Sequence, residues 1–221
     1  VTAPTEIQSL ELTAGTTPYV AGILTGVTAG STLVVMIAKG SGGGALRNIL
    51  VSDDQNGAYE VFQAVRNGRR AAVAYVEDVL AGDTEISVDV DDVFNDPHDA
   101  IWIVEYSSAV LDASGTKVTA ANSSTIYCAD VGEIDTDTDV VLASVAVTQF
   151  SSTLTANPNF TEIDSGDGWL MQHRFSDPAL TDERAGVGSS NNRRGAGVVV
   201  SFKTAAPSGL QPVNVTANSL N

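Results

Sequence analysis

The sequence contains very little cysteine, few aromatic residues and no long apolar run. Its single cysteine, Cys128, cannot form an intramolecular disulfide, so the fold cannot depend on disulfide bridges. Aromatic residues make up 6% of the chain and hydrophobic residues 43%, so the core has to be built mainly from Val, Ile, Leu and Ala. No apolar run is long enough to cross a membrane, and the first residues, VTAPTEIQSLEL, lack the basic and apolar segments of a secretion signal.

Basic residues are also scarce, with 11 Lys and Arg against 27 Asp and Glu, which gives a formal net charge of −16. A negative field of this size repels phosphate backbones and anionic membrane surfaces. We therefore predict that the chain binds neither nucleic acid nor membranes. A solvated acidic surface, a cation-rich environment or a basic partner is consistent with the charge.

Short runs rich in Val, Ala, Thr and Ile recur along the chain, separated by Gly, Asn, Asp and Ser. The strongest runs lie at residues 31–38, 58–66, 70–77, 84–90, 100–106, 139–148 and 197–203. Many short antiparallel strands of this kind are typical of a sandwich or a barrel. Asn56-Gly57 predicts a hairpin and Asn67-Gly68 a second one, although residues 59–81 also fit a helix interrupted at Asn67-Gly68.

Polar segments divide these runs and set the predicted domain limits. We predict loops at 111–124, 155–160 and 182–194, where Ser, Thr, Asn and Gly dominate. Residues 1–17 are expected to form an extended N-terminal arm and residues 18–204 one β-sandwich domain. The Pro- and Gly-containing residues 205–221 are expected to form a C-terminal tail.

Apolar residues in the two terminal segments are candidates for partner contacts. Ile7, Leu10 and Leu12 could fasten the arm to a neighbouring surface. Val213 and Val215 alternate with polar residues, so the tail could add a strand to the sheet edge of a neighbour.

Arg193 and Arg194 form a basic pair in a late predicted loop. Guanidinium groups bind carboxylates in a forked geometry, so this pair is a candidate contact with an acidic neighbouring subunit. A solvated turn that precedes the last strand is the alternative.

A cluster of oxygen-bearing side chains is the best candidate for a metal site. Ca²⁺ takes six to eight oxygen ligands, which closely spaced Asp and Asn side chains can supply. The spacing differs from an EF-hand, and an exposed acidic loop is the alternative reading. The cluster consists of Asp89, Asp91, Asp92, Asn95, Asp96 and Asp99. No other cofactor is predicted.

Catalytic patterns are weak. His98 and His173 are far apart in sequence and offer no zinc ligand set, and no Gly-x-Ser-x-Gly motif is present. Glu60, Glu77 and Glu105 are candidate glycosidase carboxylates, but charges on the outer face of a strand explain them equally well. We therefore predict that the chain is not an enzyme.

Several segments follow one another along the chain, and they include LRNILVSDDQNGAYEVFQAV, RRAAVAYVEDVLAGDTEISVDV and AIWIVEYSS. The order of these segments resembles a family of jelly-roll-like β-sandwich modules of tailed-phage structural proteins and bacterial surface proteins. The resemblance rests on the hairpin VSDDQNGAY, the turn LAGDT and the strand AIWIVEYSS, and it spans roughly residues 19–204. The chain departs from that pattern at Ser108, where glycine is usual, and in the order Asn56-Gly57.

This resemblance implies an antiparallel β-sandwich of jelly-roll type and a non-enzymatic virion structural protein. The expected function is capsid decoration or cement, with the major capsid protein or another virion protein and further copies of the chain as partners, assembled in the host cytoplasm. The alternative is a carbohydrate-binding or adhesin module of a tail fibre or a secreted surface protein. The environments of Trp102 and Trp169 distinguish the two, because sugar binding needs exposed aromatic rings.

Overall fold

The computed structural model describes residues 4–12, 19–40, 48–90, 99–128, 140–148, 152–158, 160–176 and 186–205. These residues form an all-β fold without helices. The strands are β1 (Glu6–Leu12), β2 (Tyr19–Val27), β3 (Thr32–Lys39), β4 (Leu50–Asp53), β5 (Gly57–Ala58), β6 (Glu60–Arg66), β7 (Arg69–Val76), β8 (Gly82–Asp89), β9 (Asp99–Tyr106), β10 (Ala109–Tyr127), β11 (Val140–Thr148), β12 (Leu154–Thr155), β13 (Thr161–Gly166), β14 (Trp169–Ser176) and β15 (Gly186–Thr204).

The strands form three antiparallel sheets. Sheet A has the order β1-β9-β3-β7-β6, sheet B the order β2-β8-β4-β5, and sheet C the order β10-β15-β11-β14-β13 with β12 beside β15. The predicted all-β class and antiparallel sandwich are therefore confirmed. The finer jelly-roll type is not confirmed.

Sheet A is the middle layer, and its central strands are buried on both faces. Every residue of β3 is buried, which explains why its sequence, TLVVMIAK, is a continuous run rather than an alternation of apolar and polar residues. Val34 and Met36 belong to a core shared with sheet C, whereas Leu33 and Val35 belong to a second core shared with sheet B. Alternate residues of one strand therefore supply two cores.

Sheet B has one covered face and one exposed face. In β8, Ile86 and Val88 are fully buried in the core with sheet A, while Glu85, the residue before Ile86, is exposed. This period of two is the alternation that the sequence showed at residues 84–90.

Both asparagine–glycine pairs form hairpins. Asn67 and Gly68, with φ of 49° and 81°, form the two-residue turn between the paired residues Arg66 and Arg69. Gly57, with φ of 84°, is the first residue of β5 and pairs with Asp53 of β4. The alternative helix at 59–81 is wrong, because the region forms β6, β7 and the turn that follows.

Two long strands replace segments that the sequence predicted as loops. Strands β10 and β15 have 19 residues each and pair along most of their length, so the predicted loop at 111–124 and the described part of the loop at 182–194 are wrong. These segments are rich in Ser, Thr and Gly and lack the alternation of apolar and polar residues that marks a strand. They are strands because β10 and β15 form backbone hydrogen bonds with each other. Among the described residues of the predicted loop at 155–160, only Thr155 belongs to a strand.

Strand β10 bends so that its last residues lie over sheet C. Ile126 and Cys128 pack with Val199 in a third, smaller core on the outer face of that sheet. Gly197 permits this close approach, because a Cβ atom there would lie 2.8 Å from both the carbonyl oxygen of Tyr127 and the Cα atom of Cys128.

We expect Gly197→Ala to lower the free energy of unfolding by about 1–3 kcal/mol, because backbone atoms cannot move aside as a flexible side chain can. Gly188→Ala in the same strand is the matched control, since its Cβ would meet Thr155 at an ordinary 3.7 Å. Urea unfolding of the two variants measures the difference. Equal stability of both variants would contradict the close packing of β10 on β15.

The predicted N-terminal arm contributes an edge strand to the sandwich. Residues 6–12 form β1, which pairs with β9. Leu12 is 5% exposed in the core between sheets A and B, and Leu10 packs against it. The apolar residues Leu10 and Leu12 of EIQSLEL therefore pack against the chain's own core.

Candidate functional site

The predicted calcium cluster is only partly described, so it stays a prediction. Asp89 ends β8 and Asp99 begins β9, while Asp91, Asp92, Asn95 and Asp96 lie outside the described residues. Among the residues that the structure describes, no group of three or more His, Cys, Asp or Glu is arranged to hold a metal ion.

Asp99 instead belongs to a buried ionic cluster at one end of sheet A. Its Oδ2 atom lies 2.7 Å from Nζ of Lys39, and its Oδ1 atom accepts a hydrogen bond of 3.0 Å from the backbone N–H of Gly40. The Lys39 and Asp99 side chains are 2% and 0% exposed. Lys39 therefore supplies a positive charge directly beside the Asp99 carboxylate.

Arg70 completes this cluster from the neighbouring strand. Lys39 of β3 pairs in register with both Asp99 of β9 and Arg70 of β7. Arg70 is 4% exposed, and its Nη1 donates a hydrogen bond of 3.2 Å to the carbonyl oxygen of Val90. The cluster joins three adjacent strands of sheet A to the end of sheet B.

The candidate catalytic carboxylates each accept hydrogen bonds within the fold. Glu60 accepts from the Tyr75 hydroxyl at 2.7 Å, and Glu77 accepts from the backbone N–H of Leu111 at 2.5 Å. Glu105 is fully buried, against the expectation of an outward strand charge. It accepts from Nε2 of Gln8 at 2.6 Å and from the backbone N–H of Thr28 at 2.8 Å.

Asp53 is a structural carboxylate that the sequence analysis did not single out. It accepts hydrogen bonds from Asn56, from the backbone N–H of Gln55 at 2.8 Å and from the Tyr59 hydroxyl at 2.8 Å. Burial acts to raise the pKa of Asp53, but these hydrogen bonds outweigh it and the pKa is lowered. The signal was present in the spacing of Asp53, Asn56 and Tyr59 within VSDDQNGAY.

Cys128 is a buried thiol. It is fully buried, and burial raises its pKa to about 12 despite hydrogen bonds from Ser144 and Val198 that act in the opposite direction. A thiol with this pKa holds almost no thiolate at neutral pH.

His173 is buried where sheet A meets sheet C. Its Nδ1 atom lies 3.3 Å from the Tyr106 hydroxyl and 3.8 Å from a carboxylate oxygen of Glu6. Burial lowers the pKa of His173, and the negative charge of Glu6 only partly offsets this. The imidazole therefore resists protonation in the folded chain.

We expect stability to fall as the pH drops below the unfolded pKa of His173, about 6.5. The unfolded chain then binds a proton that the folded chain resists, so stability is complete above this pH and is lost progressively toward the lowered folded pKa. Thermal unfolding between about pH 5 and 8 measures the loss, and His173→Gln is expected to flatten it. The same change at the other histidine, His98→Gln, is the control. An unchanged pH slope in His173→Gln would contradict this role.

Neither tryptophan forms an exposed platform for a sugar ring. Trp169 is 5% exposed in the core between sheets A and C. Trp102 is half-buried against the same core, and its Nε1 donates a hydrogen bond of 2.9 Å to Asp164. The two rings therefore have packing partners within the chain.

The predicted contact residues lie at separate places. Ile7 is 43% exposed on β1, whereas Leu12 is buried in the chain's own core and is not available to a partner. Arg193 and Arg194 lie on strand β15 and not in the predicted loop. Arg194 is exposed and Arg193 is half-buried, so the predicted partner contact of this pair stays a prediction. Val213 and Val215 lie outside the described residues.

Comparison with known proteins gives no further identification: no family model, no curated protein and no solved structure matches the chain. In the described part of the chain, no helix is long and apolar enough to span a membrane.

Proposed function

We propose that the chain is a non-enzymatic structural protein of a phage particle, a decoration or cement protein that binds the head shell. The observation that carries the proposal is that the candidate catalytic carboxylates and the thiol are engaged in contacts within the folded chain. Asp99, Glu105 and Glu60 all bind donors of their own chain, and Cys128 is buried. Such a molecule offers a stable surface rather than a reaction centre.

The layered architecture suits this mechanical function. Three stacked sheets with two extended cores resist local deformation, because interiors of this kind are close-packed. A symmetric shell presents many equivalent copies of a binding surface, so contacts that are weak singly hold a decorated layer by avidity. Assembly in the host cytoplasm agrees with a chain whose one thiol is free.

Binding to purified shells tests the proposal. The chain is mixed with empty heads assembled from the major capsid protein of the phage that encodes it, and the heads are sedimented. We expect saturable co-sedimentation at a fixed ratio of chain to capsomer. Failure to bind, at chain concentrations that would saturate a micromolar site, would contradict the proposal.

Carbohydrate binding is the second candidate, and one feature favours it. A groove of about 410 Å³ beside β10 and β15 is lined by residues that include Tyr127, Thr125 and Asn157 over Gly186 and Gly188. An aromatic ring can stack on the apolar face of a sugar, and hydroxyl and amide groups can form hydrogen bonds with its hydroxyl groups. Against it, both tryptophans pack within the chain. Specific signals on a glycan array, lost in Tyr127→Ala, would favour this candidate.

A further inference from the structure

Positive charge is concentrated in three segments of this acidic chain. Residues 61–76, 113–128 and 186–201 contain six Lys and Arg and no Asp or Glu, although the chain has 27 acidic residues. Arg70 is buried, and the other five are at least partly exposed. We call these five the basic end: Arg66, Arg69, Lys117, Arg193 and Arg194.

The fold brings these segments together. Arg66 and Arg69 face each other across the turn at Asn67-Gly68. Nη2 of Arg66 donates a hydrogen bond of 3.3 Å to the carbonyl oxygen of Ala120 in β10, which links this turn to the bend of the long strands. Arg193 pairs with Ser123 in that bend, and the adjacent Arg194 is exposed. The turn that carries Arg66 and Arg69 and the segment that carries Arg193 and Arg194 therefore both adjoin residues 120–123 of β10.

Four exposed carboxylates form a corresponding acidic end, which consists of Asp54, Asp78, Asp83 and Glu85. Two contacts hold the β4–β5 hairpin against the turn before β8. The backbone N–H of Leu80 donates to Oδ1 of Asn56 at 3.1 Å, and that of Glu85 donates to Oδ1 of Asp54 at 2.9 Å. The four carboxylates therefore lie on neighbouring segments, where like charges repel one another.

The two ends lie near opposite ends of strand β7. Strand β7 starts at Arg69 in the basic end and finishes at Val76, next to the turn that carries Asp78. Its 8 residues span about 26 Å at roughly 3.3 Å each. This distance exceeds the Debye length of about 8 Å at physiological salt, so one end cannot neutralise the other within one molecule.

We infer that the basic end of one copy binds the acidic end of a second copy. Arginine and carboxylate groups form forked, charge-assisted hydrogen bonds, and the contact joins two different surfaces. Such a head-to-tail contact closes into a ring or continues as a row of subunits. The inference deepens the proposed function, because it states how copies meet in a decorated layer.

Sedimentation of the purified full chain tests this contact without any shell, so its failure is separate from a failure of shell binding. We expect assemblies larger than a monomer at about 50 mM salt that dissociate at about 500 mM salt. A monomer at low salt, or association that strengthens with salt, would overturn the inference.

Charge reversal identifies the surfaces. Arg193→Glu with Arg194→Glu blocks the basic end, and Asp83→Lys with Glu85→Lys blocks the acidic end, so each double variant alone is expected to be monomeric. A mixture of the two retains one intact end of each kind, and the two reversed ends are also opposite in charge, so the mixture is expected to regain assemblies that contain both variants in equal numbers. Circular dichroism and thermal unfolding confirm that each variant is folded. Absence of mixed assemblies from folded variants would overturn the inference.

A matched single change controls for net charge. Arg194→Glu and Lys203→Glu each alter the net charge by two, but Lys203 lies outside the basic end and pairs with Asp112 at 3.0 Å. We expect Arg194→Glu to weaken self-association and Lys203→Glu to leave it unchanged. Equal weakening in both would show a general charge effect and would overturn the head-to-tail contact.

Discussion

Replacing Asp99 with alanine is expected to lower the free energy of unfolding by about 3–5 kcal/mol, because the change removes one partner of a buried ion pair. Nζ of Lys39 would lose a carboxylate at 2.7 Å, and the backbone N–H of Gly40 would lose its acceptor at 3.0 Å. Both side chains are almost inaccessible to water, so solvent cannot replace the lost partner. Urea unfolding at neutral pH measures the loss.

Two further variants separate this effect from a general loss of packing. Lys203→Ala removes a pair in which the lysine side chain is 47% exposed, and we expect a loss of no more than about 1 kcal/mol. Lys39→Met combined with Asp99→Leu removes both charges and is expected to recover part of the stability lost in Asp99→Ala. If Asp99→Ala costs no more than Lys203→Ala, the buried cluster does not stabilise the fold as described.

Replacing Glu105 with alanine is expected to cost about 2–4 kcal/mol, because a fully buried carboxylate with two donors is removed. Nε2 of Gln8 on β1 and the backbone N–H of Thr28 would both lose their acceptor. Gln8 lies on an edge strand. We therefore also expect amide hydrogens of β1 to exchange faster in Glu105→Ala than in the unmodified chain.

Conservative and exposed controls test the Glu105 prediction. Glu105→Gln keeps one acceptor oxygen and is expected to lose less than Glu105→Ala. Glu85→Ala removes an exposed carboxylate from β8 and is expected to stay within about 0.5 kcal/mol of the unmodified chain. Unchanged exchange in β1 of Glu105→Ala would show that this carboxylate does not fasten the N-terminal strand.

The sequence predicted those parts of the fold that have a local signal. Asn67-Gly68 specified a turn because both residues tolerate positive φ, and the alternation at Ile86 and Val88 marked a strand with one wet face. The long pair β10 and β15 had no such signal, because polar residues such as Thr119 and Ser123 obtain their strand conformation from pairing with β15. Tertiary context determined those strands.

The candidate site was less predictable, because its partners are distant in sequence. Nothing near Asp99 in the sequence points to Lys39, which lies 60 residues earlier and becomes its neighbour only through the pairing of β3 with β9. Glu105 looked like an exposed strand charge because its burial depends on β1 and on the loop at Thr28. Of the basic end, the sequence singled out only Arg193 and Arg194, since the other three bases join them through the fold.

The composition of purified virus particles tests the central proposal most directly. The proposal makes the chain a component of a phage particle, so particles of the corresponding phage are purified on a density gradient. Quantitative mass spectrometry then gives the ratio of the chain to the major capsid protein. The proposed decoration function predicts a constant ratio set by the symmetry of the shell in intact particles. Particles that lack the chain, or that carry it in traces removed by washing, would contradict that function.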